Sequence, residues 1–194
     1  RSDKVMVAFV AEFSRGKSEM INAVFFSGYG RRIMPASAGR TTMCPTELGY
    51  DASLAPSLRL LPIETRLQLQ GLAEWRVKPE RWIEIPLDVN NADQIAKALE
   101  KVAEVRKVTL DNARALGFWH DELADENPVP DSEGLVEVPM WRHAIINIPH
   151  PLLKQGLVIL DTPGLNAVGA EPELTVNLIP QAHAVVFILS ADTG

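Results

Sequence analysis

Ala11-Glu12-Phe13-Ser14-Arg15-Gly16-Lys17-Ser18 ends on a glycine, a lysine and a hydroxyl in successive positions. That order suits a polyphosphate. A glycine lets the backbone come close to the anion and turn N–H groups toward its oxygens. The Lys17 ammonium reaches the β- and γ-phosphates, and the Ser18 hydroxyl is an oxygen ligand for Mg2+. The spacing matches the Walker A pattern, with Ala11 where the first glycine usually stands. A chance match is expected about once or twice in a hundred chains of this length, which favours the phosphate reading. Nucleotide contact is therefore assigned to Glu12, Phe13, Ser14, Arg15, Gly16, Lys17, Ser18 and Glu19.

A second acidic site follows later. Asp161-Thr162-Pro163-Gly164 comes directly after an apolar run at 157–160. Asp161 is placed to hold Mg2+ through water, and the Gly164 N–H to face the γ-phosphate. Alone, these four residues also spell an ordinary β-turn. Downstream of a phosphate loop they read as D-x-x-G, the γ-phosphate sensor of the GTPase branch. ABC- and AAA-type ATPases carry other signatures, which this chain lacks.

Such a site also needs a hydroxyl on the chain between the two motifs. It would complete the Mg2+ shell and order its loop only when the γ-phosphate is present. The stretch G-R-T-T-M-C-P-T-E-L at 39–48 offers Thr41 and Thr42. On pattern alone a plain polar loop fits it as well.

These residues need elements to carry them. The run at 4–10 (KVMVAFV) reads as a buried strand, and 19–26 has helical periodicity, so the order is strand, loop, helix. Residues 27–46 read as loop. Strands are expected at 58–63 and 82–87. A helix is expected from an Asn91 cap to about Ala115, with Gly117 as its stop. The runs at 144–148 and 157–160 suit a hairpin across HPLLKQG, a helix is expected at 171–178, and 184–189 reads as a last buried strand. Strands alternating with helices imply an α/β fold with a largely parallel sheet, flanking helices and an antiparallel hairpin at one edge.

Composition narrows the class. The chain has 194 residues, 46% hydrophobic and 23% charged, enough for one full core. Its longest strongly apolar run, at 182–189, is too short to span a bilayer. No apolar leader precedes the first strand. One cysteine, Cys44, forms no internal disulfide and points to a reducing cytosol. A net charge of −6 with no basic run argues against a nucleic-acid partner. The four histidines show no metal spacing. They, the four tryptophans, Cys44 and the Asp121-Glu122 pair read as structural or solvated.

Taken together, A-E-F-S-R-G-K-S-E-M-I-N-A-V, G-R-T-T-M-C-P-T-E-L and D-T-P-G-L-N-A resemble bacterial members of the dynamin superfamily. The likeness covers the phosphate loop, the switch and the sensor. It includes a serine two residues before the loop Gly-Lys (Ser14) and Thr-x-x-Pro in the switch (Thr42 to Pro45). It implies a P-loop GTPase fold that binds GTP and GDP with Mg2+. It implies Ser18, Thr42 and Asp161 as the metal ligands. It implies catalytic roles for Ser14, Lys17, Thr42 and Gly164, with Ser14 placing a monovalent cation such as K+ and Thr42 aligning the attacking water. It further implies GTPase domains that pair face to face, and membrane remodelling or tethering through helical regions outside this chain. The resemblance places the protein in the cytoplasm, at the inner face of a membrane once those regions are added.

The domain plan follows from this. The phosphate loop is 11–18, the switch loop about 27–48, the sensor 161–164, and about 52–135 is an insertion. The guanine-reading Asn/Thr-Lys-x-Asp motif is absent and expected beyond Gly194, as is the helical stalk. Phe13 stands where many dynamins have glutamine, which removes a polar contact expected across the paired domains. Arg15 is either an internal positive charge or a solvated side chain. Two other functions compete: a monomeric GTPase of the ribosome-assembly kind, and a nucleotide-binding scaffold with little turnover.

Overall fold

The structure is a computed structural model and describes residues 4–11, 15–35, 44–162, 168–171 and 184–188, without the side chains of 8–17 and 184–188. Nine strands are described: β1 (Val5–Ala11), β2 (Thr46–Gly49), β3 (Ser57–Pro62), β4 (Ile83–Pro86), β5 (Val105–Val108), β6 (Val136–Pro139), β7 (Trp141–Asn147), β8 (Leu157–Thr162) and β9 (Ala184–Ile188). Five α-helices accompany them: α1 (Arg15–Phe25), α2 (Leu72–Arg76), α3 (Ala92–Leu99), α4 (Leu110–Leu116) and α5 (Pro151–Lys154). No described helix is long and apolar enough to cross a membrane.

Seven strands form one sheet in the order β4-β3-β7-β2-β8-β1-β9. The β9-β1-β8 half is parallel, in line with the expected largely parallel sheet, and the helix expected at 171–178 lies outside the described residues beyond Glu171. β2 runs antiparallel to β8 and parallel to β7, and β3 and β4 add antiparallel pairs at the far edge. The expected hairpin between 144–148 and 157–160 does not form, because β2 lies between β7 and β8. Their connection holds α5, begun by Pro151 and capped by His150 Nδ1, which accepts from the Leu152 N–H at 3.1 Å. A connection of that length crosses a strand, which a two-residue turn could not.

Side chains on alternate positions sort to two faces of the sheet. Leu48, Leu58, Leu60, Ala144, Ile146 and Ile159 meet Ile21 and Phe25 of α1 and Ile95 and Leu99 of α3 in the main core. On the opposite face Leu61 packs with Leu72, Trp75 and Trp82, and Ile145 lies against them. A separate small core holds Ile63, Val108, Ala113, Leu116, Phe118, Val136 and Val138, closed by the two-stranded β5-β6 sheet.

The long helix expected at 91–115 is two short ones with a strand between. Its two ends are as predicted. Asn91 Oδ1 accepts from the Gln94 N–H at 3.1 Å, and Gly117 stops α4 in the left-handed region at φ +89°. Inside it, Val105-Arg106-Lys107-Val108 pairs with β6, and Thr109 caps a new helix by accepting from Asn112 at 3.2 Å. Pairing of β-branched residues with a distant strand overrides local helical periodicity here.

The second face also buries charge. Glu47 of β2 forms an ion pair with Arg76 of α2, and His143 Nε2 of β7 lies 3.4 Å from Glu47 Oε1. Burial, with the Arg76 charge adding to it, pushes the His143 pKa down to about 3. His143 is therefore neutral when folded and takes up a proton on unfolding below its ordinary pKa. Stability must fall as pH drops from about 6.5 toward 3. We expect this one residue to cost about 2 kcal/mol between pH 7 and pH 5. Urea unfolding of the wild type and of His143→Gln over that range checks this: the variant should show the shallower dependence on pH.

Candidate functional site

Strand register brings together the ends of the two strands that lead into the predicted phosphate and sensor motifs. β1 pairs with β8 so that Phe9 lies opposite Asp161 and Val10 opposite Thr162. Both strands run the same way, so Ala11 and Thr162 end them at the same end of the sheet. β2 runs the other way, with Thr46 opposite Asp161, so β2 begins at that same end. Asp161 thus stands between the end of β1 and the start of β2. Ligand sites of open α/β sheets sit in this position, at the carboxyl ends of parallel strands.

α1 begins at Arg15, immediately beyond the loop. Its first N–H groups have no partner within the helix. Its first turn, Arg15-Gly16-Lys17-Ser18, carries two cations and no acidic residue. Cations there oppose the helix dipole, and a bound anion would relieve them. Ser18 is buried at 5% exposure, on the helix that packs on the Asp161 face of the sheet. A hydroxyl and a carboxylate are hard oxygen donors, a set that fits Mg2+ completed by phosphate oxygens.

Asn22, one turn further along α1, ties the helix to the chain that leads toward the threonine pair. Its Oδ1 accepts from the Ile33 N–H at 3.0 Å and the Met34 N–H at 2.7 Å, and its Nδ2 donates to the Met34 carbonyl at 3.1 Å. Asparagine is a poor choice inside a helix unless its side chain satisfies backbone elsewhere. That was the available signal in E-M-I-N-A-V, and sequence reasoning missed it.

Cys44 is buried two residues ahead of β2. Burial pushes its thiol pKa up, with Asp161 and Glu171 adding to the rise and Arg66 opposing it, so it stays protonated and is no redox nucleophile. Those neighbours locate a buried ion cluster beside the site. Arg142 of β7 grips Glu171 through Nε–Oε2 and Nη2–Oε1, each at 3.1 Å. Arg66 Nε lies 3.4 Å from Glu171 Oε2. Other guanidinium N–H groups donate to carbonyls: Arg66 to Leu116 (3.1 Å) and Gly169 (2.7 Å), Arg142 to Thr65 (3.2 Å) and Gln70 (3.5 Å). Burial lowers the Arg66 pKa, and Glu171 counters part of that. None of these three residues was predicted. Their partners lie far apart in the chain, and no local pattern marks them.

The dynamin family profile matches residues 7–194. The chain belongs to the dynamin family. A bacterial dynamin-like protein of Nostoc punctiforme is 24% identical over 182 residues, which is 94% of this chain and 20% of that protein. Two solved chains come from an oligomerised bacterial dynamin pair described as a mechanism for long-range sensing and tethering of membranes. They are 20% and 13% identical, each over 95% of this chain and over 20% and 22% of theirs, with TM-scores of 0.42 and 0.45. The chain spans about a fifth of the length of these relatives.

Within this dynamin-family fold the predicted residues are placed as follows. Arg15, Gly16 and Lys17 form the first turn of α1, with Ser18 buried beneath it and Asp161 at the end of β8. Glu19 is exposed, 3.9 Å from Arg32 Nη2. Glu12, Phe13, Ser14, Thr41, Thr42 and Gly164 lie outside the described residues. Replacing Asn22 with alanine strands the Ile33 and Met34 N–H groups. We expect a loss of about 1–3 kcal/mol in urea unfolding, with Asn22→Asp recovering part because it keeps both acceptor contacts.

Proposed function

We propose that this chain binds GTP and Mg2+ at the α1 end of the sheet and hydrolyses GTP, as the catalytic part of a longer dynamin-like protein. One observation carries the reading. Asp161 is flanked in register by the strand that leads into 11–18 and by the strand that follows the threonine pair. The strands next to three motifs far apart in sequence thereby lie side by side at one end of the sheet, which supports the reading. Family membership supports GTP as the nucleotide.

In this reading the loop 11–18, the switch region about 27–48 and the sensor 161–164 act as a unit, with about 52–135 as an insertion. Lys17 and the backbone of Glu12, Phe13, Ser14, Arg15, Gly16, Ser18 and Glu19 hold the phosphates. Mg2+, when bound through Ser18, Thr42 and Asp161, would neutralise charge that develops on the β- and γ-oxygens. Thr42 orients the attacking water, and the Gly164 N–H binds the γ-phosphate and reports its loss. Ser14 would hold a K+ ion, which would supply positive charge to the departing phosphate. The active form pairs two GTPase domains face to face, and regions outside this chain couple turnover to membrane tethering or remodelling at the cytoplasmic face.

GTP turnover by the full-length protein, measured against its concentration with and without K+, tests this. Specific activity should rise with concentration and require the cation. Lys17→Ala should lower kcat/KM by about a hundredfold or more, the scale of losing a preorganised charge at the transferred phosphoryl group. Thr42→Ala should act likewise, while Thr41→Ala should stay near wild type. Flat, K+-independent activity would favour a monomeric GTPase, and binding without turnover would favour a scaffold.

A further inference from the structure

The connection from β3 to β4, residues 63–82, takes no part in the chemistry proposed above, yet it stands at the same end of the sheet. We propose that this connection is a contact between two copies of the chain, with Leu67, Leu69 and Val77 as its apolar anchors. The proposal rests on the face-to-face pairing of the GTPase reading and names a surface for it outside the nucleotide motifs.

Strand register fixes where the connection stands. Phe9, Asp161, Thr46, Ala144, Leu60 and Ile83 lie on one line across β1, β8, β2, β7, β3 and β4. β3 runs in the direction of β8, so it crosses that line shortly before it ends at Pro62, and β4 begins on the line at Ile83. The residues between them therefore lie beyond the end of the sheet at which Asp161 stands, three strands aside, a distance of about 14 Å. A copy that faces that end of the sheet also faces this connection.

The connection exposes what a monomer ordinarily covers. Leu69 is 103% exposed, Val77 77% and Leu67 58%, three of the four highest values for large apolar side chains among the described residues. Single exposed leucines are ordinary, but a group of such residues in one connection marks a contact surface. Their support is fixed. Trp75 is buried, its indole N–H donates to the Gln70 carbonyl at 3.1 Å, and the Trp82 indole N–H donates to the Trp75 carbonyl at 2.9 Å. Arg142 Nη1 holds the Thr65 carbonyl at 3.2 Å. Side chains on a braced loop lose less freedom when a partner covers them, so more of their burial appears as affinity.

The charges decide the occupant. Residues 67–84 carry Glu74, Glu80 and Glu84 against Arg76, Lys78 and Arg81. Arg76 is already paired with Glu47, so the surface has no positive surplus. An anionic bilayer would select such a surplus of lysine and arginine. A surface that meets its own copy about a twofold axis needs both signs, since a single sign would repel itself. A permanent cover from elsewhere in the same protein would favour an apolar surface depleted in charge. Leucines interleaved with charges of both signs suit instead a contact that forms and parts.

The test uses the full-length protein. GTP turnover against protein concentration, affinity for a fluorescent GDP, the thermal midpoint and co-sedimentation with phosphatidylethanolamine–phosphatidylglycerol vesicles are measured. The proteins compared are wild type, Lys17→Ala, Leu69→Asp, Leu69→Lys, Leu69→Ser and Leu152→Asp. Leu152 is an exposed leucine of α5, at the other end of the sheet, and its variant should match the wild type. We expect Leu69→Asp and Leu69→Lys each to raise the concentration at half-maximal specific activity by about tenfold or more, and Leu69→Ser by about threefold, with GDP affinity and plateau kcat held to within about twofold. An unchanged concentration dependence in both charged variants would overturn the contact alone. So would a loss of activity equal at every concentration, which marks a cover from the same chain. Vesicle binding lost in Leu69→Asp and kept in Leu69→Lys, with self-association unchanged, would overturn it in favour of a membrane. Wild-type turnover that is flat with concentration would overturn the pairing, and turnover that survives Lys17→Ala the GTPase reading, each taking the contact with it. If a charged variant does not fold, Leu69→Ser decides.

Discussion

Strand β8 is hydrogen-bonded on its two sides to strands that run in opposite directions, and the site depends on this. Parallel pairing with β1 sets Asp161 beside the end of the strand that leads into the phosphate loop. Antiparallel pairing with β2 sets Thr46 opposite the same aspartate. Were β2 parallel to β8, the threonine pair ahead of it would enter from the opposite end of the sheet, about a strand length away. The mixed direction of the sheet is therefore a requirement of the site. β2 can hold this place because its neighbours bury both faces: Leu48 enters the main core and Glu47 the charged cluster opposite.

Two buried ion clusters flank this arrangement, and neither is an economical source of stability. Taking Glu47, Glu171, Arg66 and Arg142 out of water costs several kcal/mol per ion before any pairing, and apolar replacements of similar shape often match such clusters. What the clusters supply is uniqueness of place. Glu47 and His143 tie β2 and β7 to α2 on one face. Glu171 ties the chain beyond Thr162 to β7 and to the residues around 65 at the end of the sheet. Both fix β7, the strand that links the nucleotide half to the added edge strands. A lone carboxylate in either place, without its arginine, would be far costlier than the pair.

Much of this was legible in the sequence, for reasons specific to each element. β1 and β8 are short apolar runs ending at Ala11 and at Asp161-Thr162, and such runs bounded by chemistry-bearing residues admit few readings. Asn91 and Gly117 were readable because caps and stops act through their own backbone. β5 was not, since Val105 and Val108 also fit a helical face and only pairing with β6 decides between them. The hairpin failed for a similar reason: β7 and β8 are antiparallel in direction, but a strand from residues 46–49 separates them. Ser18 and Asp161 carry a motif, whereas Glu171, Arg66 and Arg142 acquire meaning only once the fold places them together.

That last point bears on what the region between β2 and β7 contributes. Its small core is closed by β5-β6 and by α4, a helix with a side-chain cap at one end and a left-handed glycine at the other. Phe118, inside that core, supports the Arg66 guanidinium at 4.5 Å from its ring centroid and meets Gly169 with its ring edge. A side chain that must hold a charge in one place needs its own rotamer fixed by packing, and Phe118 supplies this for Arg66. The small core is thus the rigid wall against which the cluster closes. Without it, Arg66 would be a long side chain with several rotamers to lose, and the pairing with Glu171 would have to overcome that entropy before it ordered anything else.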